Sequence, residues 1–313
     1  MNTTRAVLID GYGPPEALRL GRIPLPEPGH GEVQVRVHAA GINAIDWLTR
    51  AGRGVSVSSF PAVLGWDISG TILRTGPGVT TLKAGDQVFG MPHFPGLAGG
   101  YADHVTAPAG SLAVKPGHVT HHSAAGTPMA ALTAWQALFD LGGLSPGQRV
   151  LVQGAAGGVG HVAVQLAARA GAEVIGTASI GNHAFVEGLG AHEVVDYSAS
   201  PVEKAVRDVD VVIDPRGGEE AYRLLDVLSP GGILVTLKGA DARLVEAARA
   251  RGLRVGFVYV APNGATLANL AALMAEGHLR TAVENVFPLH EASAAHVIGE
   301  TGHVRGRLVL DTT

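Results

Sequence analysis

One stretch of the sequence has residue types and spacing that could bind a phosphate group. An apolar run ends at Val152, a glycine-rich turn covers residues 154–160, and apolar residues then recur at helical spacing to about residue 170. This pattern predicts a buried strand, a tight turn and a helix placed end to end, which is the first half of a βαβ unit. Such a turn brings backbone N–H groups and a helix N-terminus against a phosphate.

The turn has the spacing of the dinucleotide-binding fingerprint. Ala155, Gly157 and Gly160 occupy its three small-residue positions, with alanine in place of the first glycine. The first position requires a tight turn, the second lets amides approach a pyrophosphate, and the third lets helix and strand pack closely. We therefore predict that a dinucleotide binds at Ala155, Gly157, Gly158, Val159 and Gly160. The alternative is a glycine turn that binds nothing.

The residues after the next predicted strand bear on the choice of coenzyme. Strand 173–177 ends where an acidic residue would hold the ribose hydroxyls of NAD, and no carboxylate follows it. Ser179 and Asn182 instead offer a hydroxyl and an amide, with no charge to repel a 2′-phosphate. The sequence therefore favours NADPH over NADH. The alternative is that Ser179 or Asn182 only caps a helix that begins near His183.

The composition limits the class of protein. A chain of 313 residues with 46% hydrophobic residues suits two domains. The net charge of −4, with scattered basic residues, gives no footprint for nucleic acid or an anionic membrane. With no apolar signal core near the N-terminus and no apolar run of membrane-spanning length, we expect a cytoplasmic protein. The absence of cysteine excludes disulfides, thiolate nucleophiles and cysteine zinc sites.

Two patterns of elements divide the chain and predict an α/β fold. Residues 1–122 contain short strands between turns, such as Val33–Val37 with its alternating valines, and predict an antiparallel, partly barrel-like domain that residues 265–313 complete. Residues 123–264 begin with a helical pattern at Pro128–Leu141 and then alternate strands with helices, which predicts a doubly wound parallel sheet. Its six strands are predicted at residues 150–153, 173–177, 193–196, 209–213, 232–237 and 253–259.

Several segments together resemble one family, the medium-chain dehydrogenase/reductases, and within it the zinc-independent quinone oxidoreductase branch. The resemblance rests on Gly41–Gly52, Pro61–Gly70, Gly99–Ala102, Leu132–Trp135 and the glycine turn. It implies a GroES-like catalytic domain at 1–122, completed by 265–313, and a Rossmann domain at 123–264. It also implies NADPH as coenzyme and reduction of a small molecule, either a quinone or another activated carbon–carbon double bond.

Metal ligands of the zinc-dependent relatives are missing. Those relatives place a cysteine near Asn43 and a histidine near Trp66, and they carry a four-cysteine zinc lobe. His118, His121 and His122 are close in sequence, but no carboxylate or third ligand is evident, so we expect no metal site. Without a Lewis acid, simple alcohol oxidation is disfavoured, whereas a conjugated acceptor can spread its charge onto a distant oxygen.

The resemblance implies four candidate catalytic residues. Asn43 would hold the nascent enolate or quinol oxygen, Asp46 and Arg50 would brace the pocket, and Thr133 would lie near the nicotinamide. A purely structural role is the alternative for the first three. Asn43 is a good N-cap, Asp46 suits the first turn of a helix, and Asp46 and Arg50 have the i,i+4 spacing of an ion pair.

Three further positions concern the coenzyme. Tyr197 resembles a family contact near the adenosine end. Close relatives often carry arginine where this chain has Gly181, so a 2′-phosphate loses its usual cationic partner. The loop Asp214–Gly218 differs from the commoner pattern of the family. Its Arg216 is a candidate to supply the missing positive charge to the 2′-phosphate from this second loop.

Oligomeric state and function remain open between alternatives. Leu253–Val260 would form an apolar edge strand of the parallel sheet, and the family implies a homodimer. The expected function is NADPH-dependent reduction of quinones or enones. The alternatives are a pathway-specific enoyl or enone reductase of a biosynthetic intermediate and a non-enzymatic NADPH-binding sensor.

Overall fold

The computed structural model describes residues 3–313 and divides into two compact units. One contains the chain up to Leu132 together with Ala261–Thr313, and the other contains Thr133–Val260. The first division falls later than the expected boundary at 122/123, because the helix at His121–Ala125 packs against the antiparallel sheet of the first unit. The second falls earlier than the expected boundary after residue 264.

Short strands dominate the first unit, and strands alternate with helices in the second. Up to the division the elements are β1 (Thr3–Ile9), β2 (Arg19–Pro24), β3 (Glu32–Ile42), α1 (Ala44–Arg50), β4 (Ala62–Val63), β5 (Asp67–Thr75), β6 (Gln87–Gly90), β7 (His104–Pro108), β8 (Leu112–Val114) and α2 (His121–Ala125), and α3 (Pro128–Trp135) crosses it. The second unit contains β9 (Arg149–Val152), α4 (Gly160–Arg169), β10 (Glu173–Ala178), α5 (His183–Gly188), β11 (Glu193–Asp196), α6 (Val202–Ala205), β12 (Val209–Asp214), α7 (Glu219–Leu224), β13 (Leu228–Thr236), α8 (Ala242–Arg249) and β14 (Arg254–Phe257). The chain returns to the first unit with α9 (Gly264–Ala275), β15 (Val283–Pro288), α10 (Ala292–Glu300) and β16 (Arg307–Asp311).

The first unit has two sheets. A small antiparallel sheet has the order β2-β1-β4, and a larger one has the order β15-β16-β3-β5-β6-β8, with β7 also paired to β3. The C-terminal strand β16 pairs with β3, and β3 pairs with β5. The register sets Leu308 opposite Ile42 and Gly41 opposite Asp67, which brings the starts of β16 and β5 to the end of β3.

The second unit has the predicted doubly wound sheet. Its strand order is β11-β10-β9-β12-β13-β14, and all of these strands are parallel. This is the 3-2-1-4-5-6 order of dinucleotide-binding sheets, which confirms the predicted fold class. Apolar side chains from β9, β10, β12 and β13 pack with those of α7 and α8 in one core cluster.

The alternation predicted for β3 holds for its valines but not for Gln34. Val33, Val35 and Val37 are buried, as a half-buried strand requires, yet Gln34 is only 1% exposed. Gln34 lies in the stretch of β3 that pairs with both β5 and β7, and its side chain donates to the Pro26 carbonyl oxygen at 2.5 Å. The central position of the strand therefore buries a polar residue that simple alternation places in solvent.

The helix predicted at residues 128–141 is a composite. α3 ends at Trp135 and continues as a π-helix over Gln136–Leu141. The longest α-helix in the described part of the chain, α9, has 12 residues. None of the helices within residues 3–313 combines the length and apolar character needed to cross a bilayer.

Candidate functional site

Gly154 makes the tight turn at the end of β9. Its φ of 59° lies in the left-handed region, which favours glycine. Its N–H donates to Thr177 Oγ1 at 3.0 Å, and the N–H of Ala155 donates to the Thr177 carbonyl oxygen at 2.9 Å. The turn is thereby tied to β10, and the fully buried Ala155 helps to shape it.

Gly157 and Gly160 allow the backbone to approach closely. A Cβ atom at Gly160 would overlap the carbonyl oxygen of Gly154, and one at Gly157 would lie 3.2 Å from the same oxygen. α4 begins at Gly160, directly after Gly158 and Val159, and the N–H groups of His161 and Ala163 donate to the carbonyl oxygens of Gly157 and Val159. The close approach that the glycines of this backbone cradle allow, at the N-terminus of a helix, fits a pyrophosphate.

Ser179 and Asn182 lie just after the carboxyl end of β10. Asn182 Nδ2 donates to Ser179 Oγ at 3.2 Å, and neither side chain caps the helical residues that follow. The capping alternative raised by the sequence is therefore not the role of these side chains in this structure.

Tyr197 directly follows β11. The guanidinium carbon of Arg216, from the loop after β12, lies 5.8 Å from the centre of the Tyr197 ring. The structure therefore brings together the expected adenosine contact and the candidate replacement cation, although 18 residues separate them in the chain.

In the first unit, Asn43 stands at the N-cap of α1, where it forms a capping box with Asp46. Its Nδ2 donates to Asp67 Oδ2 at 3.0 Å, and its Oδ1 accepts from Arg307 Nη2 at 2.7 Å. The strand register explains this, because Asn43 follows β3 at the point where β5 and β16 begin. Asn43 is 5% exposed, so its amide is held between a carboxylate and a cation in a nearly dry site.

Asp46 forms its half of the capping box with the Asn43 backbone. Its Oδ2 accepts from the Asn43 N–H at 2.6 Å, and its Oδ1 accepts from the Gly65 N–H at 3.1 Å. The Tyr101 hydroxyl is a third hydrogen-bond partner. Burial raises the pKa of Asp46 to about 7, against the lowering effect of these hydrogen bonds.

Arg50 does not form the i,i+4 ion pair suggested by its spacing from Asp46. Its Nη2 pairs with Glu300 at 2.5 Å, its Nη1 donates to His296 Nδ1 at 3.3 Å, and its Nε donates to the Gly13 carbonyl oxygen. α10 packs against α1 and supplies both Glu300 and His296, so tertiary packing outweighs the local pairing.

A directed line of hydrogen bonds joins Arg50 to Asp46. Arginine has no acceptor, so His296 Nδ1 must accept from Arg50, and the proton of the neutral ring is on Nε2. Nε2 then donates to the Tyr101 hydroxyl at 3.2 Å, and that hydroxyl is left to donate to Asp46. Burial lowers the pKa of His296 to about 3, which agrees with a neutral ring.

Asp67 and Arg307 form a buried ion pair at 3.2 Å. Asp67 also accepts from the Met129 N–H at 2.9 Å, through its other oxygen. Burial raises the pKa of Asp67 to about 6, although Arg307 acts to lower it. Thr133, the fourth predicted catalytic residue, is 8% exposed and lies one helical turn after Met129 on α3.

Sequence reasoning did not identify Arg307, Tyr101, His296 or Glu300 as site residues. For Arg307 there was a signal, because a charged residue opens the C-terminal strand directly before three apolar residues. The other three carry no local signal, since each is brought to the site by packing.

The histidines near residue 120 have partners that sequence proximity did not reveal. His122 Nε2 lies 2.9 Å from Asp311 Oδ2, and His121 Nδ1 lies 2.8 Å from Ser69 Oγ. Within residues 3–313, no three or more histidine, aspartate or glutamate side chains are grouped so that they could hold a metal ion.

Two family models match the chain. The alcohol dehydrogenase GroES-like domain matches residues 29–117, and the zinc-binding dehydrogenase model matches residues 189–310. The first match lies in the antiparallel unit. The second runs from the parallel sheet into the C-terminal strands.

Individual relatives are similar over nearly the whole chain. The Danio rerio protein named NAD(P)H oxidoreductase RTN4IP1, mitochondrial, is 35% identical over 97% of this chain and 90% of its own length. The quinone oxidoreductase structure from Coxiella burnetii is 36% identical, with a TM-score of 0.95 and full coverage of both chains. The Escherichia coli quinone oxidoreductase complexed with NADPH is 27% identical, with a TM-score of 0.88 over 98% of this chain and 100% of its own.

These similarities, with the GroES-like and parallel-sheet architecture, define the class of protein. The chain belongs to the medium-chain dehydrogenase/reductases, in their quinone oxidoreductase-like branch. It is an NAD(P)H-dependent oxidoreductase.

Replacing Asp46 by asparagine tests the cost of burying this carboxyl group. Its folded pKa of about 7 exceeds the reference value of 3.8, so the folded state binds more protons between these values. The free energy of unfolding therefore falls as pH rises through this range. Asp46→Asn lacks the titrating carboxyl group, so its free energy of unfolding does not fall in this way. We therefore expect the free energy of unfolding of the variant, relative to wild type, to increase by on the order of 4 kcal/mol between about pH 4 and about pH 7. Urea unfolding at several pH values measures the difference.

The control is Asp140→Asn, which removes an exposed carboxylate of the second unit. It leaves Asp46 in place and should not reproduce the gain in stability expected for Asp46→Asn. A constant difference for Asp46→Asn would contradict the raised pKa.

Proposed function

We propose that this chain is an NADPH-dependent, zinc-independent reductase whose hydride acceptors are quinones or other conjugated enones. The observation that carries the proposal is the buried Asn43 amide, held between Asp67 and Arg307. The Coxiella and E. coli proteins are both named quinone oxidoreductases, which supports the acceptor class. We also propose that the protein is cytoplasmic.

Asn43 is suited to donate a hydrogen bond to an oxygen that gains negative charge. Arg307 donates to Oδ1 and draws electron density from the amide, and Asp67 accepts one of the two Nδ2 hydrogens. The second hydrogen is then a polarised donor in a site that excludes water. A reduced nicotinamide supplies a hydride when it is bound, and a conjugated acceptor shifts the resulting charge onto its oxygen, where such a donor stabilises it.

Asp46, Arg50 and Thr133 have supporting roles in this proposal. Asp46 fixes the Asn43 backbone through the hydrogen bond at 2.6 Å, and Arg50 orients the histidine and tyrosine that donate toward Asp46. Thr133 would contact the nicotinamide. None of these groups needs a metal ion to act.

The coenzyme preference rests on the second unit. The backbone cradle from Gly157 to Gly160 would hold the pyrophosphate, and Ser179 and Asn182 would face the adenosine ribose. No carboxylate lies among residues 178–183, so a 2′-phosphate meets no like charge there. The NADPH complex of the E. coli relative supports the same preference.

A panel of acceptors tests the proposed reaction. With NADPH present, we expect benzoquinones, naphthoquinones and linear enones to cause loss of NADPH absorbance, and saturated ketones to cause none. Activity confined to one enone would point to a pathway-specific reductase. Turnover of simple alcohols or saturated ketones, with conjugated acceptors inert, would contradict the proposal.

Variants of Asn43 test the proposed donor. Asn43→Ala and Asn43→Asp both remove the amide hydrogens, and we expect either to lower kcat about 100-fold with smaller changes in coenzyme affinity, as for loss of one oxyanion donor. Steady-state kinetics with the best quinone gives the measurement. Asn285→Ala, at an exposed asparagine of the same unit, is the control. Unchanged turnover in both Asn43 variants would refute the assignment.

The outer strand of the parallel sheet supports a homodimer. β14 is the outermost strand of the six-stranded sheet among the described residues, and Phe257 at its end and Tyr259 just after it are 42% and 59% exposed. We expect twice the mass of one chain by light scattering at micromolar concentration, and a single-chain mass for Phe257→Asp. The matched control, Val286→Asp, changes a residue 43% exposed on the outer strand β15 and should leave the dimer intact. A single-chain mass for the wild type would contradict the homodimer.

A further inference from the structure

The contact between Tyr197 and Arg216 spans two strands of the parallel sheet. Tyr197 follows β11 and Arg216 follows β12, and the strand order places β10 and β9 between them. Three strand spacings separate the two backbones by about 14 Å. Because the guanidinium nevertheless lies 5.8 Å from the ring centre, the two side chains meet above the carboxyl ends of β10 and β9.

This location is where a dinucleotide places its adenosine. In doubly wound sheets the ligand binds beyond the carboxyl ends of the strands, with the pyrophosphate at the first helix and the ribose at the end of the second strand. Those elements here are α4 and β10. The Tyr197–Arg216 contact therefore covers the adenosine position, and a bound coenzyme must use or displace it.

The loop that carries Arg216 is held in a defined shape. Asp214 Oδ1 accepts from the N–H of Arg216 at 2.9 Å and from the N–H of Gly217 at 3.0 Å. Gly217 and Gly218 both have φ of 65°, which other residues rarely adopt. The side chain extends from this fixed base, is 54% exposed, and pairs with Glu220 at 3.0 Å. The guanidinium is accessible, and an exposed ion pair of this kind is weak enough to exchange partners.

The segment that follows β10, residues 179–182, carries no fixed positive charge. Ser179 and Asn182 bond to each other, and residues 179–182 contain no lysine or arginine. A 2′-phosphate there would have hydrogen-bond donors but no cation. The guanidinium beside the Tyr197 ring comes from another loop, the one after β12.

We propose that Arg216 selects NADPH by pairing with its 2′-phosphate. The inference rests on the coenzyme preference in the proposed function. When the coenzyme binds, Arg216 leaves Glu220 and the face of Tyr197. Its planar guanidinium then donates charge-assisted hydrogen bonds to the oxygens of the 2′-phosphate. Tyr197 keeps its exposed ring for the adenosine. The preference for NADPH over NADH thus comes from the loop after β12. Its arginine replaces the positive charge that close relatives often carry at the position of Gly181.

Binding of NADPH and NADH to Arg216→Gln tests this inference directly. Nucleotide fluorescence titrations without any acceptor give both dissociation constants, so the measurement does not depend on turnover. Loss of a charge-assisted pair should raise the NADPH constant about 10- to 100-fold and change the NADH constant less than about 3-fold. Arg216→Lys, which keeps the charge and loses the fork, should fall between wild type and Arg216→Gln.

Two further variants sharpen the result. Arg223→Gln is the matched control, because Arg223 is 55% exposed and also pairs with a glutamate, Glu203. It should leave both constants unchanged. Glu220→Gln removes the competing carboxylate and should tighten NADPH binding about 2- to 5-fold without affecting NADH.

The outcomes separate this inference from the proposed function. If the wild-type protein prefers NADPH and Arg216→Gln keeps the same preference, the proposed role of Arg216 is wrong. The proposed function is not affected by that result. Equal weakening of both coenzymes also overturns the role of Arg216. A wild-type protein that binds NADH as tightly as NADPH overturns the coenzyme preference, and the inference with it.

Discussion

A cation buried away from water determines the arrangement of the polar site in the first unit. Arg307 is 6% exposed, its Nη2 donates to Asn43 and Asp67, and its Nε has no acceptor among the described residues. A buried charge costs several kcal/mol unless it is well paired, and an unsatisfied buried donor costs about 1–3 kcal/mol more. Replacing Arg307 alone by an apolar residue would be more costly, because it would leave Asp67 as a buried charge without its partner and Asn43 Oδ1 without its donor.

Two carboxylates, Asp46 and Asp67, share the field of this one guanidinium. Burial raises the pKa of both toward neutrality, and their mutual repulsion adds to the rise for Asp46. The hydrogen bonds that run from Arg50 through His296 and Tyr101 all donate toward Asp46, which opposes the rise. The charge of the site is therefore governed by fixed protein groups, and bulk water has little part in it.

Local patterns in the sequence predicted what short-range physics determines. The strand, glycine turn and helix around Gly154–Gly160 follow from residue spacing, and so does the helix that begins after Asn43. The partners of those residues do not follow, because Asn43 meets Arg307 and Arg50 meets Glu300 only after the C-terminal segment adds β16 and α10 to the first unit. Local spacing favoured an ion pair between Asp46 and Arg50, and packing against α10 overrode it. Side-chain partners depend on register and packing, which no local pattern encodes.

The N-terminus of α1 shows how one side chain can serve both a helix and a site. In a capping box the side chains of Asn43 and Asp46 each face the backbone of the other, and both halves are present here. The Asp46 carboxylate accepts from the Asn43 N–H at 2.6 Å. Asn43 Oδ1, the acceptor atom of its side chain, also accepts from Arg307, whereas Nδ2 donates to Asp67. The structural role that the sequence suggests for this pair and the proposed role of Asn43 as a donor are therefore compatible, because the amide oxygen serves the cap and the amide nitrogen is the donor.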